Sequence, residues 1–347
     1  MKSLDLRKKD RVVLVNVVES FLLEGKPVGS DTITRKRILP DSPATIRNSM
    51  VRLEKLGYLF KPHASAGRVP SDKGLRLYVN SLLDMLAPSS ERTVLLPEEA
   101  LPGRGDLNSL LSRVSLMLAD ESDNLGFVLS PRISRIHFKH LRFIRVADNK
   151  VMVILLATFN LVLNEIVSLE QDLGQGELDE AARFMNQNFR GKTLQAVLDY
   201  LEHERPPYRQ RREPVTAKLS LLLKAYLLQE ERSDSIFFQG TSRLLDKSRD
   251  IPLEKLKALF RHFEEKARLA KIISDFISLD RVKVLIGSEQ NDPDIADCAL
   301  ILSHYGTESQ VLGSLGIIGP KRIPYHRIIP LVDSIALRLS QTIRHNP

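Results

Sequence analysis

The sequence contains one cysteine and no tryptophan in 347 residues, and it has no long apolar run. A lone cysteine excludes an intramolecular disulfide and is typical of a reducing compartment. No apolar segment approaches the roughly 20 residues that a membrane-spanning helix requires, and the N-terminus lacks the apolar core of a signal peptide. We therefore expect a cytoplasmic protein in which Cys298, within the apolar run CALILSHY, is a buried strand residue.

Residue patterns typical of enzymes and metal sites are also scarce. Residues 190–193 contain Gly-Lys-Thr, but Asn186 stands where a phosphate-binding loop needs glycine. Asp292, Asp294 and Asp297 fall in a predicted loop, where solvated carboxylates are commoner than cation ligands. We expect no catalytic residue, no metal and no cofactor.

Residues 42–57 have the pattern of a capped amphipathic helix. Ser42 can accept a hydrogen bond from the first turn, and Pro43 fits the first helical position, where its missing N–H costs nothing. An apolar stripe at i, i+4 and i+7 is formed by Ile46, Met50 and Leu53. The outward face and its flanks consist of Ala44, Thr45, Arg47, Asn48, Val51, Arg52 and Lys55. Small, amide and guanidinium side chains of this kind suit the base edges and phosphates of a DNA major groove.

The flanking segments predict a larger motif around this helix. A first amphipathic helix is expected to end at Gly25, and a second, short helix to occupy residues 30–37. Residues 58–60 can form a strand, 66–67 the tip of a hairpin, and 68–69 the returning strand. Three short helices and a basic hairpin predict a winged helix-turn-helix, although any small helical domain needs similar apolar stripes.

The positive charge is concentrated in residues 1–86, which carry 16 Lys and Arg against 9 Asp and Glu, a formal +7 of the chain's +8. Because phosphate contacts dominate nucleic-acid affinity, this concentration indicates a polyanionic partner. A basic domain could instead lie on a membrane surface, but these helices lack a Trp- or Phe-rich membrane face. We therefore predict that residues 1–86 bind double-stranded DNA.

Eight residues of this segment are candidate DNA contacts: Ser42, Thr45, Arg47, Asn48, Arg52, His63, Ser65 and Arg68. Asn48 and Thr45 are best placed for base edges. Arg68 could hold a phosphate or enter a minor groove, or it could form a surface salt bridge. His63 could donate to phosphate or brace the wing, and Arg47 could contact phosphate or form an internal ion pair.

The remainder of the chain has a different organisation. Residues 87–105 are rich in proline and are predicted to be a linker. Strand-like runs in 106–171, helical patterns in 172–232 and further strands in 233–347 indicate an α+β domain with a helical insertion. The insertion carries an excess of leucine, including Leu219, Leu221, Leu222, Leu223, Leu227 and Leu228. That excess favours a face buried against a second subunit, with packing on the protein's own sheet as the alternative.

The motifs VESFLLEGKPVGSDTI, SPATIRN, LEKLGYL and PHASAGRVPSDKGLRLYV, and near the C-terminus VLGSLGIIGPKRIPYHRIIPLV, resemble the HrcA family of bacterial heat-inducible transcription repressors. The resemblance covers both ends of the chain, with Ser49 where the family usually has an acidic residue. It implies a winged helix-turn-helix followed by a GAF-like domain in two parts, 106–171 and 233–347, around an inserted dimerising domain. It also implies a homodimer on an inverted-repeat operator of the CIRCE type, inactivation by heat, and restoration by the GroEL chaperonin.

Two other functions remain open at this point. The sheet domain could bind a small effector and make the protein a ligand-sensing winged-helix regulator, because such pockets need no fixed motif. A nuclease with a winged specificity domain is a further alternative, but the sequence offers no convincing acidic metal cluster.

Overall fold

The computed structural model describes eleven segments of the 347-residue chain, namely residues 6–35, 41–85, 107–131, 136–158, 162–203, 209–232, 236–247, 251–264, 282–290, 292–306 and 311–345. These segments form helices together with a two-stranded, a five-stranded and a three-stranded sheet. The predicted α+β class is confirmed. The predicted linker at 87–105 lies outside the described residues.

The first two segments, 6–35 and 41–85, form a unit that we call the head. Its elements are α1 (Lys8–Glu24), α2 (Ser30–Arg35), α3 (Pro43–Lys55), β1 (Leu59–Phe60), β2 (Val69–Pro70) and α4 (Asp72–Met85). α1 ends where Gly25 adopts φ +68° and donates its N–H to the carbonyl of Phe21 at 2.8 Å. α3 begins as predicted, because the Ser42 hydroxyl accepts from the N–H of Thr45 at 3.3 Å. Local capping therefore determines both helix ends.

The apolar stripe of α3 is buried, as predicted. Ile46, Met50 and Leu53 are at most 1% exposed and belong to a core that also contains Val13, Leu14, Val17 and Val18 of α1. Burial of a side chain of this size stabilises a fold by roughly 1.5–3 kcal/mol. The stripe therefore fixes α3 against α1 and leaves its opposite face to solvent.

The hairpin of the head differs from the prediction at its tip. Leu59 pairs with Pro70 and Phe60 with Val69. The chain turns where Ala66 donates its N–H to the carbonyl of His63 at 3.0 Å, rather than at residues 66–67. At Gly67 the chain instead passes so close to the backbone of Val28 that a Cβ would overlap its carbonyl.

The five-stranded sheet is antiparallel throughout and has the order β7-β3-β10-β9-β8. Its strands are β3 (Leu125–Leu129), β7 (Ile236–Gln239), β8 (Val282–Ile286), β9 (Cys298–Gly306) and β10 (Val311–Pro320). The helices beside it are α5 (Leu107–Ser122), α9 (Thr241–Asp246), α10 (Leu253–Glu264) and α11 (Tyr325–His345). We call this assembly the sheet domain.

Both faces of this sheet are covered. Side chains such as Val128 and Ile317 belong to a core with α5 and α11, while Phe127 and Leu300 belong to a second core with α9 and α10. Cys298 is buried in the second core, as predicted, and burial raises the pKa of its thiol to about 12. The alternation of buried faces is what an antiparallel strand with helices on both sides requires.

The three-stranded sheet has the order β4-β5-β6 and is separate from the first. Its strands are β4 (Phe138–Ala147), β5 (Lys150–Ala157) and β6 (Val162–Ser168), followed by α6 (Gln175–Asn188), α7 (Leu194–His203) and α8 (Arg209–Arg232). Phe143 and Val153 of the sheet share one core with Leu178 and Leu222 of the helices. The sequence pattern predicts that all strands before residue 172 belong to the sheet domain, and β3 does. β4, β5 and β6 pack instead with the helices that follow, because the sheet and the helices cover each other's apolar faces. We call these six elements the inserted unit.

The leucine-rich helix α8 also corrects an interpretation. Leu219, Leu222, Leu223 and Leu227 are buried in the core of the inserted unit, and Leu221 packs against that core. The alternative, packing on the protein's own sheet, therefore explains most of the leucine excess. The excess no longer argues for a subunit interface along this helix.

The chain leaves the sheet domain for the inserted unit, and returns to it, at neighbouring points. Leu129 at the end of β3 pairs with Ile236 at the start of β7, and the two strands are antiparallel. The inserted unit thus occupies the position of a hairpin loop. The inner strand β3 and its neighbour, the central strand β10, come from opposite sides of the insertion in the sequence.

Candidate nucleic-acid interface

The outward face of α3 presents polar side chains near the N-terminal end of the helix. Ser42, Arg47 and Asn48 are exposed, and Thr45 is half-buried. The Thr45 hydroxyl lies 2.9 Å from that of Ser42, so these two side chains form part of the helix cap. Arg47 makes no ion pair within the part of the chain that the structure describes. The predicted base-contacting side chains therefore share one accessible surface.

Arg52 instead anchors α3 to α1. Its Nη2 and Nε donate to the two carboxylate oxygens of Asp10 at 2.7 and 3.2 Å, and Nη2 also donates to the Ser49 hydroxyl at 2.9 Å. Asp10 is 3% exposed, and its hydrogen bond from Arg52 lowers the pKa of the carboxyl. The sequence did carry a signal for this pair, because Asp10 falls on the apolar stripe that includes Val13 and Leu14. The arrangement makes Arg52 a residue that holds α3 in place against α1.

Arg68 has a comparable internal role in the hairpin. Its Nη2 donates to Glu54 Oε2 of α3 at 3.0 Å, and its side chain is only 15% exposed. Its backbone exchanges two hydrogen bonds of 2.8 Å with Val28. Of the two roles open for Arg68, a nucleic-acid contact or a salt bridge, the structure shows the salt bridge. This pair fixes the hairpin beside α3.

The tip of the hairpin carries the remaining candidates. His63 and Ser65 are exposed, on the turn that Ala66 closes. The ammonium group of Lys61 donates a hydrogen bond to the carbonyl of Ala64 within the same turn. The tip thus offers an imidazole and a hydroxyl to solvent at the end of a braced hairpin.

Loss of the Asp10–Arg52 pair should destabilise the head. We expect Arg52→Ala to reduce the stability of α3 by about 2 kcal/mol, less than the roughly 3–5 kcal/mol of a broken buried pair, because the Arg52 side chain is 39% exposed. The measurement is amide hydrogen exchange of peptides from α1 and α3. Arg47→Ala, which removes an exposed arginine from the same helix, is the control and should leave exchange unchanged.

The same pair predicts a pH dependence. The folded-state pKa of Asp10 lies below its ordinary value of 3.8. Its ionised form therefore stabilises the head at pH values above 3.8, and this contribution is lost as the pH falls through the lower folded-state pKa. The stability difference between the wild type and Arg52→Ala should shrink over that window. A difference that stays constant from neutral pH to pH values below 3.8 would show that Asp10 is not the group responsible.

Other candidate chemistry does not assemble into a site. Residues 190–193 form a turn in which Gly191 has φ +81°, with no strand leading into it. Among the described residues, no three His, Cys, Asp or Glu side chains lie close enough together to hold a metal ion. Within the same residues, no helix is both long and apolar enough to cross a membrane.

A capped helix with an exposed polar face, in a segment (residues 1–86) that carries +7 of the chain's +8 charge, is the arrangement by which transcription regulators contact DNA. The protein is of this class. A family model described as the HrcA protein C-terminal domain matches residues 108–329. The chain belongs to the HrcA family of heat-inducible transcription repressors, which confirms the resemblance drawn from its motifs. It is a negative regulator of heat-shock gene transcription and not an enzyme.

Comparisons along the whole chain agree with this assignment. The heat-inducible transcription repressors HrcA of Syntrophobacter fumaroxidans and Geobacter sulfurreducens are each 32% identical to it, with 98% of both chains covered. The HrcA of Xanthomonas axonopodis pv. citri is 34% identical, with 95% of this chain and 94% of that one covered. A crystal structure described as a hypothetical protein superposes with a TM-score of 0.64 at 24% identity, covering 99% of this chain and 100% of that one. At that identity the superposition shows a shared fold alone.

Proposed function

We propose that this repressor binds an inverted-repeat operator of the CIRCE type as a homodimer, within the cytoplasm. The head acts as a winged helix-turn-helix, with α3 in the major groove and the β1–β2 hairpin as the wing. The exposed, polar, capped face of α3 is the observation that carries this proposal. One head covers only a few base pairs. A dimer with two-fold symmetry reads two half-sites with the same residues, and so gains operator specificity without further sequence.

The eight candidate residues divide into two groups under this proposal. Arg47, Asn48, His63 and Ser65 are exposed and would contact DNA directly, together with the cap residues Ser42 and Thr45. Arg52 and Arg68 would act indirectly, through their ion pairs with Asp10 and Glu54. A loss of either pair would displace the helix or the wing rather than remove a contact.

Asn48→Ala tests the proposed base contact. If its amide reads a base edge, the substitution should cost about 1–3 kcal/mol on the operator and little on random DNA. Asn80→Ala is the matched control, since Asn80 is an exposed asparagine on α4 of the same head. The measurement is fluorescence anisotropy with labelled operator and random duplexes. Equal losses on both DNAs would show that Asn48 does not read sequence.

The outer face of the β4–β5–β6 sheet is the surface that we propose for dimerisation. Val162 and Ile166 of β6 are 62% and 42% exposed. They pair with the half-buried Leu156 and Met152 of β5, on the face away from α6–α8. The half-buried Ile154, paired with the exposed Asn164, lies between the two pairs and joins them into one largely apolar patch. Contiguous exposed apolar patches of this kind mark interaction sites. A second copy of the chain would cover the patch.

We further propose that the sheet domain is GAF-like, that warming inactivates the repressor, and that GroEL restores it. The support is topological. Strand β3 must pair with the central strand β10, from which the whole inserted unit separates it in sequence. Closure of such distant segments is slow and leaves apolar strands exposed while it proceeds, which invites aggregation and chaperone capture.

A further inference from the structure

Helix α4 joins the head to the sheet domain through two oppositely charged pairs. Arg76 donates from Nε to Glu289 Oε1 at 2.7 Å and from Nη2 to the carbonyl of Val284 at 2.5 Å, and Nη2 also donates to Glu289 Oε2. The guanidinium thus binds both oxygens of one carboxylate and a carbonyl in the middle of strand β8. Bidentate pairs of this kind fix direction as well as distance.

The second pair has the reverse polarity. Lys321, just after β10, donates to Asp72 Oδ1 at 3.0 Å, and the N–H of Ser288 donates to Asp72 Oδ2 at 3.3 Å. The Asp72 carboxylate lies so close to Gly287 that a Cβ there would overlap it.

Asp72 and Arg76 are four residues apart, so they lie on the same face of α4. A one-turn slide of α4 would bring like charges together, and a rotation of α4 about its axis would separate both pairs.

An apolar seam runs beside these pairs. Tyr78 and Val79 of α4 belong to one continuous buried cluster that also contains Ile286 of β8 and Ile328 of α11. The head is therefore packed on the sheet domain rather than tethered to it by the chain alone. Apolar packing supplies contact area, and the charged pairs select one orientation within it.

We propose that Asp72 and Arg76 are positioning residues for operator binding. They set the angle of the head on the sheet domain, and so the separation of the two α3 helices in a dimer. This inference rests on the proposed homodimer and inverted repeat. Half-sites bound by a symmetric dimer must lie a fixed distance apart along the duplex. Because a rigid angle between head and sheet domain fixes the distance between the two α3 helices, it produces a preference for one half-site spacing.

The test is a spacing series of operators, with a single half-site as reference, titrated by anisotropy. Arg76→Glu places two carboxylates together, and Arg76→Glu with Glu289→Lys restores opposite charges. Arg76→Ala is the milder variant if reversal disturbs folding. Arg243→Glu is the matched control, because Arg243 pairs with Asp120 and Asp123 inside the sheet domain, away from the head.

Arg76→Glu should lose about tenfold in affinity at the preferred spacing and bind neighbouring spacings almost equally, with half-site affinity unchanged. The double variant should regain most of the preference, and Arg243→Glu should keep it. If Arg76→Glu and Arg76→Ala retain the wild-type spacing preference, the inference is wrong. It is equally wrong if they lose half-site and full-operator affinity in the same proportion. A wild type that binds the repeat no more tightly than one half-site would instead overturn the proposed dimeric function.

Discussion

A variant in which an Asn-Gly turn replaces residues 130–235 is expected to be a folded monomer that has lost operator affinity at least ~100-fold, because the avidity of two linked half-sites is gone. Leu129 and Ile236 are already paired across antiparallel strands, so a two-residue turn can join them without disturbing the sheet. Its affinity for a single half-site should stay close to that of the wild type. Sedimentation velocity and anisotropy measure the two properties.

A smaller deletion provides the contrast. Removing only 172–232 would strip α6–α8 from the sheet they cover and expose side chains such as Phe143 and Val153. That variant should aggregate, although the sequence pattern alone predicts residues 172–232 as the inserted segment and therefore as the part to delete. If the variant lacking 130–235 still sediments as a dimer, the interface lies outside the inserted unit.

Point variants make the same test without a deletion. Ile166→Lys places a charge in the exposed apolar patch of the β4–β5–β6 sheet and should yield a monomer. Leu245→Lys changes an exposed leucine of α9, outside the inserted unit, and should remain dimeric. A dimeric Ile166→Lys would move the interface away from this face.

Mild heating is expected to abolish operator binding, with recovery on cooling only when GroEL and ATP are present. A marginally stable fold responds steeply to temperature, because a loss of about 1.4 kcal/mol in the free energy of unfolding changes the ratio of folded to unfolded protein tenfold. During refolding, β3 must find β10 across the inserted unit, and apolar strands such as β5 remain open meanwhile. Operator binding before heating, after cooling, and after cooling with chaperonin gives the result.

The variant lacking 130–235 is an informative companion to this experiment. Its β3 and β7 are joined by a tight turn, so their pairing is local and should form without help. It should regain half-site binding on cooling in the absence of chaperonin. Complete unaided recovery of the full-length protein would contradict the heat-labile account, and the ligand-sensing regulator would then be the function to pursue.

The sequence predicted α3 well because the information that defines a helix is local. Ser42 and Pro43 determine its start, and the spacing of Ile46 and Met50 determines its buried face. The tip of the hairpin was misplaced because Gly67 is required by a close approach to Val28, which lies on a distant part of the chain. No local pattern distinguishes a glycine needed for a turn from one needed for contact.

Strands were predicted where they occur, but not the sheets they join. β3 and β5 are both short apolar runs, yet β3 is an inner strand of the five-stranded sheet and β5 belongs to the inserted unit. Which sheet a strand joins depends on its pairing with segments distant in the sequence, and the spacing of apolar residues within a strand gives no information about that pairing. For the same reason the sequence pattern predicts a DNA contact for Arg52 and leaves the role of Arg68 open, since their partners Asp10 and Glu54 are set by the fold.

The measurement that tests the central claim most directly is a titration of the purified protein against an inverted-repeat operator and against a duplex of the same composition in scrambled order. The salt concentration is held fixed, since the affinity that phosphate contacts provide falls steeply as salt increases. The account predicts two chains per operator and a preference of at least ~1,000-fold over the scrambled duplex. Equal affinity for the two duplexes, or one chain per operator at saturation, would contradict it.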